Sequence, residues 1–115
     1  KIEGRWQRAK IEKMSNPITE FWDFGRAQSD GVGSVTAYYS NSTLNNGALD
    51  TMSNGSYSIE AKALKKTYLY LDNFLTSSGI DGRWEISRLN KNEMIISFRE
   101  SGGMYTIEFC RTSCN

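Results

Sequence analysis

Short runs of alternating apolar and polar residues, each closed by turn chemistry, recur along this chain. Trp22 and Phe24 fall on one face at period two, and Tyr57/Ile59/Ala61 and Leu69/Leu71 repeat the pattern. Ser29-Asp30-Gly31, Ser77-Ser78-Gly79, Asn90-Lys91-Asn92 and Ser101-Gly102-Gly103 punctuate the runs. Reading between these breaks gives eight segments: 4–13, 19–25, 33–41, 56–63, 67–74, 83–89, 94–99 and 104–111. Residues 42–55, polar and containing Asn46-Gly47 and Asn54-Gly55, read as a long loop with room for one short irregular piece. Eight consecutive short strands in 115 residues predict one all-β domain over 1–115, built as an up-and-down barrel or a sandwich.

One segment allows a second reading. Residues 59–66 are rich in helix formers, and Ile59, Ala63, Tyr68, Leu71 and Leu75 could share a helical face. The alternation through the same residues favours strands.

Composition matters mainly for what it excludes. Net charge is +1, with cations scattered among carboxylates, whereas nucleic-acid binding by phosphate neutralisation requires a strongly basic face, so no nucleic-acid partner is expected. Lys62, Lys65 and Lys66 read as a solvated edge that discourages sheet-to-sheet pairing. No stretch approaches the ~18 apolar residues of a membrane helix. The chain has no His, which removes the commonest general base and leaves Cys110 without a partner to make a thiolate. No pair of carboxylates is marked as an acid/base couple, and Gly31-Val32-Gly33 lacks the spacing of a phosphate loop. The expectation is a protein that is not an enzyme and carries no cofactor and no metal.

Both cysteines, Cys110 and Cys114, lie in the last six residues. An even pair suits an oxidising compartment. In an extended strand their Cα atoms would be about 13 Å apart, too far to bridge, so a disulfide requires the tail to turn after Arg111. Two free thiols are the alternative. Zinc would lack ligands to complete a site of four.

Aromatics supply the candidate binding surface. By alternation the inward set is Trp22, Phe24, Tyr39, Tyr57, Ile59, Leu69, Leu71, Trp84, Ile86, Ile96, Phe98, Tyr105 and Ile107. Ala37 and Ala61 among these rings could leave space. All of these residues except Ile59, Ile86 and Ile107 are the candidate ligand contacts, and each also suits plain core packing.

Two stretches echo each other: Glu3-Gly4-Arg5-Trp6 and Asp81-Gly82-Arg83-Trp84. Gly4-Arg5-Trp6 at the start of the domain resembles the Gly-x-Trp signature of the lipocalins and the wider calycin superfamily. Trp22-Asp23-Phe24 followed by Asp30-Gly31-Val32-Gly33 is similar to the second strand and turn of small bacterial lipocalin-like domains, many from Bacteroidetes envelope proteins. So are Trp84-Glu85-Ile86, Leu89, Glu93-Met94-Ile95-Ile96 and the run from Tyr105 to Arg111.

The resemblance implies an eight-stranded antiparallel up-and-down barrel with a closed end and an open mouth, with Gly4, Trp6 and Arg111 as structural residues. Trp6 would pack inside the closed end, and Arg111 would cover it. It also implies export to the periplasm or outer membrane, with membrane attachment only through a lipid anchor upstream of this chain. The chain lacks the C-terminal helix and the second and third signature motifs of longer lipocalins, and a barrel this small can fill with its own side chains.

The expected function is therefore binding of a small apolar or amphipathic ligand in the barrel. The alternative is a cell-envelope interaction module with a filled barrel, binding protein or glycan from outside. A weak enzyme using Tyr, Arg or a carboxylate in the mouth is a third and lesser reading.

Overall fold

The pairing of neighbouring strands carries the alternation right around a closed sheet. The computed structural model describes residues 2–9, 18–41, 49–61, 66–74, 81–100 and 102–111, without the side chains of Ile18, Asn41 and Glu100. Its strands are β1 (Gly4–Arg8), β2 (Ile18–Phe24), β3 (Val32–Asn41), β4 (Leu49–Ala61), β5 (Thr67–Asp72), β6 (Gly82–Leu89), β7 (Glu93–Glu100) and β8 (Gly103–Cys110). Each pairs antiparallel with the next, and β8 returns to β1. This is the all-β, eight-stranded, up-and-down barrel expected from the strand pattern and the resemblance together, not a sandwich, and no helix occurs among the described residues. Ile59 and Thr67 to Asp72 lie in strands, so the helical alternative fails there. Residues 62–65 lie outside the described set.

The seam is short. Gln7 faces Cys110 and Arg8 faces Phe109, and the Ala9 amide donates to the Glu108 carbonyl at 2.8 Å. The first strand ends at Arg8, well before the expected residue 13, and residues 10–13 lie outside the described set.

The largest correction concerns residues 42–55. From Leu49 on, the expected loop is the first half of the thirteen-residue strand β4. Asn54-Gly55 looks like a hairpin turn in isolation, but Gly55 sits mid-strand opposite Val35. A Cβ at Gly55 would lie 2.6 Å from the Asp72 carbonyl oxygen and 2.8 Å from Phe74 Cβ, so the glycine serves close approach. Pairing with the long β3 overrides local turn propensity. Where Ala37 faces Ser53 and Tyr38 faces Thr51, Met52 is the extra residue of a bulge.

Strand ends follow local chemistry. β5 stops at Asp72, short of the expected Phe74, because Asn73 takes φ 55°. The Asp81 carboxylate then accepts the amides of Asn73 and Phe74, both at 2.9 Å. The turn before β3 is an Asx turn, with Val32 N donating to Asp30 Oδ1 at 3.0 Å. Asn90 does the same for β7, accepting from the amides of Asn92 and Glu93.

Candidate functional site

Following the pairing, one face of every strand meets inside the barrel, where large rings pack against aliphatic side chains. Trp6, Trp22 and Trp84 are all essentially without solvent contact, at 0%, 1% and 0% exposure. Around Trp22, Phe74 packs edge-on at 4.9 Å between centroids, and Phe109 packs tilted at 4.8 Å. Phe24 meets Tyr57 edge-on at 5.0 Å. Trp84 is covered by Phe98 at 5.5 Å and Tyr105 at 6.0 Å. Offset and edge-on contacts of this kind add to the area that each ring buries.

The structure sorts the expected ligand contacts into two groups. Trp22, Phe24, Tyr57, Leu69, Leu71, Trp84 and Ile96 are buried core residues. Tyr39 and Phe98 are partly buried, and Tyr105 lies at the rim with 36% exposure. Ile59 is a correction. It faces the buried Leu69 across β4 and β5 yet is 41% exposed, because it lies toward the end of β4 beyond the packed rings. The gap expected at Ala37 is also filled. Ala37 faces Trp22 and is fully buried, a small residue accommodating a large one. Ala61 is exposed.

The end that contains the start of β1 is closed by Trp6 and Arg111. The Arg111 guanidinium lies 3.8 Å from the centre of the Trp6 ring. Its Nη1 donates to the Glu3 carbonyl at 2.8 Å, and the Trp6 Nε1 donates to the Ile2 carbonyl at 2.9 Å. A guanidinium fixed over an indole contributes ~0.5–2 kcal/mol, depending on desolvation. Gly4 lies directly beneath this stack, where a Cβ would meet Arg111 Nη1 at 3.1 Å. Nearby, the Tyr57 hydroxyl donates to the Gly25 carbonyl at 2.5 Å, and burial, assisted by the charge of Glu3, pushes its pKa up. A cavity of about 420 Å³ sits beside Arg111, lined also by Leu89, Asn90 and Lys91.

Sequence reasoning missed several interior residues. Val35, Phe74, Met94 and Phe109 belong to the core. So does one carboxylate: Glu20 is 2% exposed and accepts Trp22 Nε1 at 2.7 Å. Its other oxygen faces Arg8 Nη1 at 3.5 Å. The signal was present, since period two carried on from Trp6 reaches Arg8 and from Trp22 reaches Glu20. A carboxylate hydrogen-bonded on one side and paired on the other has its charge compensated, and breaking that pairing would leave a buried charge exposed to a low dielectric.

Cys110 is disulfide-bonded at the end of β8. Cys114 lies outside the described residues.

The outer face carries a second feature. A groove of about 350 Å³ crosses β5, β6 and β7, lined by Lys66, Tyr68, Arg83, Glu85, Arg99 and Met104 among others. The Arg83 guanidinium stacks on Tyr68 at 4.4 Å. Among the described residues, Lys66, Arg83, Glu85 and Arg99 form no salt bridge. Lys66, read from sequence as a solvated edge cation, stands here beside two arginines. No family model, curated protein or solved structure matches the chain.

Proposed function

We propose that this protein is a non-catalytic, exported binding module of the lipocalin-like kind, whose filled barrel is a rigid scaffold for contacts made from outside. The observation that carries the reading is the packed interior. Trp22 and Trp84, the rings best placed to touch a ligand inside, are already covered by Phe74, Phe109, Phe98 and Tyr105. A ligand there would have to displace close-packed side chains, at a cost of several kcal/mol per large residue moved. Ligand pockets are instead concave and largely preformed. The disulfide at Cys110 supports an oxidising compartment, in keeping with the export implied by the resemblance.

Titration of tryptophan emission with fatty acids, retinoids, haem and steroids at micromolar concentration tests the reading. No saturable change is expected. A saturable change, or a small molecule retained in native mass spectrometry of protein from its own host, overturns it in favour of an interior ligand site.

A further inference from the structure

The groove on the outer face carries an excess of positive charge, three cations to one carboxylate among its described lining residues. Lys66, Arg83 and Arg99 reach it from β5's approach, β6 and β7, and Glu85 is its one anion among the described lining residues. The strand pairing fixes this arrangement. Tyr68 faces Glu85 and Tyr70 faces Arg83 across β5 and β6. Glu85 faces Ser97, and Arg99 faces Met104 across β7 and β8. Two guanidiniums are thus held on adjacent strands of one sheet face, where like charges repel and Glu85, which forms no ion pair with either among the described residues, offsets them only in part. Beside them Met104 is 57% exposed, the most exposed large apolar side chain among the described residues, and Tyr68 offers a ring already stacked by Arg83.

We infer that this groove is a docking site for an acidic segment of a protein partner, whose carboxylates pair with Arg83 and Arg99 while an apolar side chain covers Met104. Guanidinium recognises carboxylate bidentately, with direction as well as charge. Tyrosine, methionine and arginine together are the residue types enriched in protein–protein contact cores, which favours a protein over a glycan. The inference rests on the reading of the barrel as a scaffold for outside contacts.

The test is amide NMR titration of the intact chain with a glutamate-rich synthetic peptide that also contains leucine. Saturable shifts at Tyr68, Arg83, Glu85 and Arg99, weakened by salt, are expected. Arg83→Gln and Arg99→Gln should each weaken binding about tenfold, the value of one charge-assisted contact. Arg26→Gln, a similarly exposed arginine in the β2–β3 connection, should leave it unchanged, and the amide spectrum of each variant reports whether it is folded.

The same peptide with lysine for glutamate, inorganic phosphate and a sulfated oligosaccharide form the other arms. Equal binding of the lysine peptide overturns the inference. Shifts mapping elsewhere, binding unaffected by both substitutions, or binding of only the oligosaccharide or phosphate do so too. Failure here with a silent tryptophan titration removes the groove assignment alone, whereas a saturable interior ligand removes the scaffold reading beneath it.

Discussion

Glu3-Gly4-Arg5-Trp6 opens β1, and Asp81-Gly82-Arg83-Trp84 opens β6. In both, a glycine takes a left-handed φ, 105° at Gly4 and 118° at Gly82, and turns the chain so that the following tryptophan is fully buried. In both, the intervening arginine points outward. The two arginines then part company. Arg5 faces Asp23 on β2 and grips it with both ends of its fork, Nε to Oδ1 at 2.7 Å and Nη2 to Oδ2 at 2.8 Å. That hydrogen bond also holds the Arg5 proton more tightly than usual. Arg83 faces Tyr70 on β5, stacks on Tyr68, and has no carboxylate partner among the described residues. The local motif therefore decides where the tryptophan goes, while the neighbouring strand decides whether the arginine is used up in the fold or left for another molecule.

The largest expected effect breaks the shared half of the device. Trp6→Ala and Trp84→Ala should each lower unfolding stability by about 3–5 kcal/mol in urea titrations, if the two rings are equivalent plugs. They should differ in what they are coupled to. Arg111 lies on Trp6, so Arg111→Ala combined with Trp6→Ala should be non-additive by ~0.5–2 kcal/mol, the value of the stack. Combined with Trp84→Ala it should be additive. Additivity in both pairs would show that Arg111 does not hold the closed end through the ring.

A smaller difference is expected at the glycines. Alanine at either position has to adopt a conformation that costs ~1–3 kcal/mol for an L side chain. At Gly82, among the described residues, the new Cβ would meet only Phe98, at 3.7 Å, an ordinary contact. At Gly4 it would press on the Arg111 guanidinium at 3.1 Å and disturb the stack as well. Gly4→Ala should therefore be the more destabilising substitution in thermal melts. Equal losses would mean that Arg111 yields without strain.

These contrasts also mark what was legible in the sequence. Period-two alternation and turn residues predict eight strands, their order and most of the buried rings, because both are local signals. The start of β4 was hidden, since Asn54-Gly55 has the chemistry of a turn and only its pairing with β3 makes it strand. The Arg8–Glu20 pair inside the barrel was hidden for a different reason: charged residues are assigned outward by habit even where the parity points in. The groove could not be read at all, because Lys66, Arg83 and Arg99 come from three separate stretches of chain and become neighbours only through register.

The smallest expected effect is the one that tests the contrast between the arginines directly. The Arg5–Asp23 pair is about half in solvent, with 46% and 32% of the two side chains exposed, so water and salt screen it and its net value should be only ~0.2–1 kcal/mol. A double-mutant cycle with Arg5→Gln and Asp23→Asn should recover a coupling of that size, and it should shrink as salt is raised. The matching cycle with Arg83→Gln and Glu85→Gln should give none, since the two form no ion pair on their shared face. Arg83→Gln alone should lose at most the stack on Tyr68, ~0.5–1 kcal/mol at an exposed site. A clear coupling between Arg83 and Glu85 would mean that the groove neutralises its own charge, and that the second arginine is tied into the fold as firmly as the first.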